Sequence, residues 1–368
     1  MVSLLGLPRE IRDEIISFVL CSQKEPPQYQ GDTSSVDGFD NTGAEYADFK
    51  CQSWSTGGLL RHSTDSNTYT TNASGLLLVN RQLRAETLKL ASESLNYSLD
   101  MFLLNEIQLL PTWTCIPLLS QQADSVTATL RYQGHPSGRR SGFRGGCCGP
   151  PPLVWSFYIL LERFVKVGPV GPMKVEKVKN RKVFRKAVDR NICIKTLRID
   201  IRTPQDLPEN CELDPWPPTD ESCERKRRAR YNNAPVNPGK YWVMHPEEVL
   251  GFLQSNLSTL LSMCYHTAEF GALLYERVGT IEMSLDGEMR EVWNLEEMLS
   301  AFPAEGPYQS FQKGRQAHFP TWRRKALDMR QESGLPVIRP QAEAQKSIYD
   351  VANASLSGYG WGYTYVDM

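Results

Sequence analysis

The sequence contains no apolar run approaching the roughly 20 residues that a membrane helix needs. Residues 1–20 also lack the unbroken apolar core of a signal peptide, because Arg9, Glu10, Arg12, Asp13 and Glu14 interrupt it. The resulting expectation is a chain of the cytoplasm or nucleus, with no membrane partner. No charge of one sign dominates. The 41 Lys and Arg nearly balance the 42 Asp and Glu, so no global field draws the chain to nucleic acid. Histidine is scarce: His62, His135, His245, His266 and His318 are scattered along 368 residues. There is no Gly-x-Ser-x-Gly elbow, no Gly-x-x-x-x-Gly-Lys phosphate loop and no Gly-x-Gly-x-x-Gly turn. Nine cysteines occur without metal-ligand spacing. Cys147 and Cys148 are adjacent with no second pair, and Cys211 and Cys223 flank a Pro-rich loop with no histidine near. The odd count, without a secretion signal, reads as free thiols in a reducing compartment. The expectation is therefore a non-enzyme with no catalytic residue, no metal and no cofactor.

What is present begins at the N-terminus. Residues 4–20 read as an amphipathic helix with an apolar lead-in. Pro8 suits the first helical position, where its missing N–H costs nothing. Glu10, Asp13 and Glu14 place negative charge at the positive end of the helix dipole. Ile11, Ile15, Phe18 and Val19 recur at helical spacing, with Leu4 and Leu7 extending the stripe backwards. So short a helix needs a partner to bury that stripe. The run Leu76 to Leu88 offers one, with Val79, Leu83 and Leu90 on one face.

The start Leu7-Pro8-x-Glu10-Ile11, followed by Leu78-Val79-Asn80-Arg81-Gln82-Leu83-Arg84-Ala85-Glu86, resembles the F-box-like proteins of filamentous fungi. The resemblance covers about the first 95 residues. It implies binding of a Skp-type adaptor, which would bring an unknown target to an SCF-type ubiquitin ligase. Carried onto this chain, the contact residues are Leu7, Pro8, Ile11 and Ile15, completed by Val79 and Leu83. Their physical basis is that of apolar anchors seated in a partner groove. The same residues would equally serve as core joining the two helices to the rest of the chain. Solvent exposure separates the two readings.

Between the helices, residues 21–75 are rich in Ser, Thr, Gly, Asp and Asn without a sustained period. They read as a long, mostly disordered insertion, which departs from the closely spaced helices of an ordinary F-box. Residues 80–110 read as continuing helix, then Met101–Leu104 is a short apolar run closed by Pro111, which is either a strand or a buried helix turn because periodicity does not decide. Beyond about residue 120, strands at 125–132, 192–202 and 278–286 alternate with helices at 153–165, 247–263, 295–302 and 321–331. That order predicts an α/β fold with a parallel or mixed sheet, α+β being the alternative. Irregular units make the sheet only faintly like a leucine-rich repeat, and alternating strands predict either one solvated face or a partly antiparallel sheet. The domains expected are 1–95, 96–332 as a partner-recognition body, and an aromatic tail, 333–368.

Two basic runs stand apart. Arg225-Lys226-Arg227-Arg228-Ala229-Arg230 suits nuclear import or anion binding, or is simply a solvated loop. Residues 174–190 are also dense in Lys and Arg and read as an exposed helix or ribbon. Nucleic acid is disfavoured as their partner, since total charge is near zero and no binding motif accompanies them. Competing with the adaptor reading are a scaffold without ligase role, an anion or nucleic-acid binder, and an enzyme. An enzyme site would lie at the carboxyl ends of the strands near Asp200, Arg202 and Asp286, given a concave pocket there.

Overall fold

The computed structural model describes residues 4–26, 39–41, 61–63, 71–134, 142–143, 150–169, 175–178, 181–184, 189–205, 207, 209–217, 241–263, 267–304, 306–307 and 318–338. Two compact units divide the chain: residues 1–250 with 281–292, and residues 251–280 with 293–368. The divisions expected at 95/96 and 332/333 are not the boundaries of these units.

The first unit opens with a 3-10 turn, Leu4–Gly6, and helix α1, Arg9–Leu20. Pro8 sits at the N-cap, one residue earlier than expected. Helix α2, Ser74–Val79, and helix α3, Arg81–Glu93, replace the single helix expected over 76–88. Asn80 makes the break. Its backbone is extended (φ −160°, ψ 171°), and its Oδ1 accepts from the Leu83 N–H at 2.8 Å, which caps α3.

The inward face of α1 is not the expected stripe. Arg12, Ile16 and Leu20 are buried, whereas Ile11 and Phe18 are exposed and Ile15 is half-buried. Adjacent pairs such as Ile15-Ile16 make both sides of the helix apolar, so hydrophobicity alone does not choose between them. The choice falls with Arg12, whose Nε and Nη2 grip Glu86 of α3 at 3.1 and 2.7 Å while Nη1 donates to Leu7 O at 2.5 Å.

Strand β1 (Phe39–Asn41) pairs antiparallel with β2 (Arg61–Ser63). The rest of the expected 21–75 insertion lies largely outside the described residues. Strands β3, Asn96–Leu104, and β4, Gln108–Cys115, replace much of the helix expected to residue 110, and Met101–Leu104, left open between strand and helix turn, is strand. They form an antiparallel hairpin turning through Asn105 (φ 51°) and Glu106 (φ 57°). Pro111 lies inside β4 opposite Met101. It is tolerated there because β4 ends the sheet, and an edge strand can lack an N–H on its outer side.

Strand β5, Gln122–Gln133, is followed by helix α4, Pro152–Val167. Strands β6 (Val175–Val178) and β7 (Arg181–Phe184) make a two-stranded antiparallel ribbon, so most of the described part of the 174–190 run is ribbon. Strand β8, Cys193–Ile201, precedes the short parallel pair β9 (Cys211–Leu213) and β10 (Tyr241–Val243). Strand β11, Val278–Leu285, and β12, Glu288–Asn294, complete the set. The central sheet has the order β12-β11-β8-β5-β3-β4. Strand β5 runs parallel to both β3 and β8 while β4 runs antiparallel to β3, so the sheet is mixed and the α/β class expected from the strand–helix order stands. Helix α4 covers one face, where Phe164 packs 5.3 Å from the rings of both Tyr97 and Trp113.

The second unit takes most of helix α5 (Pro246–Leu261), then α6 (Ala268–Arg277), α7 (Leu295–Ala301) and α8 (Phe319–Glu332). Gly271 lets α6 approach the end of α5: a Cβ there would lie 2.4 Å from Leu260 O. The Tyr275 hydroxyl donates to Leu261 O at 2.8 Å across the same contact. No helix among the described residues is long and apolar enough to cross a membrane.

Candidate functional site

Two features gather the residues singled out in the sequence. The first is the outer surface of the N-terminal helices. Pro8 is exposed, Ile11 is 43% exposed and Val79 63%, while Leu7 and Ile15 are half-buried. Leu83 differs: it is 2% exposed and belongs to the inward face of α3 with Thr87 and Ala91, so it is unavailable as a contact residue. The structure adds two residues to the surface, Phe18 at 79% and Leu78 at 85%. Phe18 is legible in the sequence as the third member of the 11/15/18 spacing. Six of the eleven large apolar side chains exposed among the described residues (Leu5, Ile11, Phe18, Leu78, Val79 and Leu88) lie on these helices or their lead-in. Scattered exposed apolar residues are ordinary; the i, i+4, i+7 spacing of Ile11, Ile15 and Phe18 along one side of α1 is not.

The pair beneath that surface is a titratable latch. The Arg12 guanidinium, helped by the Gln82 amide at 3.1 Å, pulls the Glu86 carboxyl down from 4.5 to about 2. Arg12 is itself raised by the same carboxylate. Between those pH values the unfolded state binds more protons than the folded one, so the pair's stabilisation is complete above pH 4.5 and is lost as pH falls towards about 2. The Glu86→Gln variant is therefore expected to lose less of its thermal midpoint than the parent over that window. Identical acid sensitivity in the two proteins would show that the latch is not closed in solution.

The second feature is a cavity of about 1110 Å³ on the sheet face opposite α4, lined by Asp100, Arg131, Arg202, Thr203 and Asp286 among others. Strand alternation puts Ser98, Asp100 and Phe102 on this face, away from Tyr97. Asp100 accepts from Arg131 Nε and Nη2 at 2.7 and 2.8 Å. Asp200 accepts from Ser284 Oγ at 2.7 Å and the Gly287 N–H at 2.9 Å, with Arg202 Nε 2.5 Å away. Asp286 accepts from Thr203 N and Oγ1 at 2.8 and 2.5 Å. The three residues named for a strand-end site thus converge, with Arg202 and Asp286 on the lining and Asp200 holding Arg202. Sequence reasoning misses Asp100 and Arg131, which only the β3–β5 register brings together.

The remaining candidates separate. Arg225, Lys226, Arg227, Arg228 and Arg230 lie outside the described residues, as do Cys147, Cys148, Cys223, His135 and His266. His245 stacks on Trp216 at 5.5 Å, and His318 precedes α8. Cys21, Cys115, Cys193 and Cys211 are free thiols; burial raises Cys115 to about 11, which keeps it protonated. Among the described residues, no group of His, Cys, Asp and Glu is placed to hold a metal ion. Comparison of the chain with protein-family models, with curated proteins and with solved structures finds no match.

Proposed function

We propose that this chain is a protein-interaction subunit of F-box-like type, docking a Skp-type adaptor through its N-terminal helices and holding a target on its α/β body for an SCF-type ubiquitin ligase. The observation that carries this reading is the outward apolar stripe Ile11, Ile15 and Phe18 on a helix whose other face is already packed. A helix needs only one buried face to be held. A second, solvent-facing apolar face costs solubility and is explained by a partner groove that takes i, i+4 and i+7 anchors. Leu78 and Val79, at the end of α2, are further exposed apolar side chains of the N-terminal helices. Strands β3, β5, β8 and β11 lie side by side in chain order, the arrangement of a leucine-rich solenoid, which supports the sheet as the target-holding body.

The test is binding of the full chain to a purified Skp-type adaptor by biolayer interferometry. The parent protein is expected to bind, and the Ile11→Asp/Phe18→Asp double variant, with unchanged circular dichroism, is expected not to. Equal binding by parent and variant, or no binding by the parent, overturns the reading.

A further inference from the structure

Register fixes the floor of the polar cavity. Ser98 lies opposite Thr127, Asp100 opposite Thr129, and Thr129 in turn opposite Asp200. The middle strand therefore offers two threonine hydroxyls, Thr127 and Thr129, with a buried carboxylate on either side of Thr129. Each of these two carboxylates is paired with an arginine. Asp100 is taken by two guanidinium N–H groups of Arg131, and Asp200 by Ser284, the Gly287 N–H and Arg202. The third carboxylate, Asp286 at the rim, is taken by the N–H and hydroxyl of Thr203. The ion pairs hold both arginines in place before any ligand arrives. The Arg131 guanidinium also rests 5.1 Å above the centre of the Phe102 ring. The Arg202 side chain is half-exposed, and Lys24 adds a further cation at the wall, where its backbone N–H donates to Thr114 O at 2.8 Å.

We propose that this face binds a small oxyanion that also carries hydroxyl groups: a phosphate ester or carboxylate of a polyol. Arg202, held by Asp200 through Nε, keeps the planar guanidinium geometry that matches phosphate and carboxylate oxygens, while Arg131 spends its Nε and Nη2 on Asp100. Threonine hydroxyls donate and accept, so they suit alcohol groups on the same ligand. Fixing the arginines beforehand removes most of the ordering cost of binding. Arg131 already covers a face of Phe102, which leaves less of that ring for a flat ligand to stack on. The cavity's volume suffices for such a ligand together with bridging water. This site is independent of adaptor docking.

Isothermal titration calorimetry on the full chain tests it, with glycerol phosphate, gluconate and neutral glycerol as probes. One or both anions are expected to bind, and glycerol is expected not to; the two anion arms decide between phosphate and carboxylate. Arg202→Gln and the isosteric Thr129→Val should each weaken binding by about tenfold or more. Ile11→Asp should bind the anion as the parent does, so failure here is distinct from failure of the docking reading. No heat with either anion, or undiminished binding by folded Thr129→Val protein, overturns the proposal. So does binding of an acidic peptide with neither small anion bound.

Discussion

Replacing Arg330 by alanine is expected to destabilise the second unit by about 3–5 kcal/mol. Arg330 is fully buried in α8. Its Nη1 donates to Tyr275 O and Val278 O at 2.7 Å each, its Nε donates to Pro336 O at 3.0 Å, and its Nη2 lies 3.6 Å from Glu296. Tyr275 belongs to the last turn of α6, whose carbonyls have no partner within the helix. A buried cation at that end satisfies them and meets the negative pole of the helix dipole. Alanine leaves three carbonyls short of a donor, takes the cation from Glu296 and opens a cavity. Arg330→Met refills the volume and restores none of the hydrogen bonds, so it should recover the smaller share. Arg330→Lys keeps the charge without the planar fork that reaches three oxygens. Urea unfolding followed by tryptophan fluorescence measures this, because Trp322 lies on the same helix and bonds to Glu276. A loss below about 1 kcal/mol for Arg330→Ala would mean that its hydrogen bonds add almost nothing net.

Arg330 also marks where reading a sequence stops. Helical spacing sets Arg330 on the stripe of Arg323, Ala326 and Leu327 and sets the exposed Arg324 off it, but it does not say what a buried arginine would bond. Two of its acceptors, Tyr275 O and Val278 O, lie 55 and 52 positions away in the chain, and local periodicity carries no mark of such a bond. By contrast, β5, β8 and β11 are legible because each alternates apolar and polar residues along much of its length. Strand β3 is not: its last four residues, Met101–Leu104, are apolar and all buried, and a continuous apolar run does not declare a period. Strand β12 is a mostly exposed edge with little apolar pattern, although the turn before it, Asp286-Gly287 with φ 52° and 83°, carries the Asp-Gly signature of a tight hairpin. The cavity is legible in part. Arg202 and Asp286 follow directly from the ends of readable strands, whereas joining Asp100 to Arg131 needs the register of a strand whose sequence declares no period.

The sharpest separation between surface and core is expected from two aspartate substitutions on the N-terminal helices. Phe18→Asp should leave the chain folded and weaken adaptor binding by about 2–4 kcal/mol, the range of a central apolar anchor. Leu83→Asp should instead unfold the helices, at a cost of about 4 kcal/mol or more, because it buries a carboxylate with no prepared partner. The contrast rests on exposure, 79% for Phe18 against 2% for Leu83. It also rests on Arg12 and Glu86, which hold α1 to α3 without help from Phe18. Thermal unfolding and adaptor titration of both variants give the answer together. A destabilised Phe18→Asp protein would place Phe18 in the core, and the outward stripe would then be packing that happens to lie near the surface. A stable Phe18→Asp protein with undiminished adaptor binding would leave α1 outside the contact. Only a folded protein that has lost its adaptor fits a helix that packs one face on its neighbour and keeps the other for a partner.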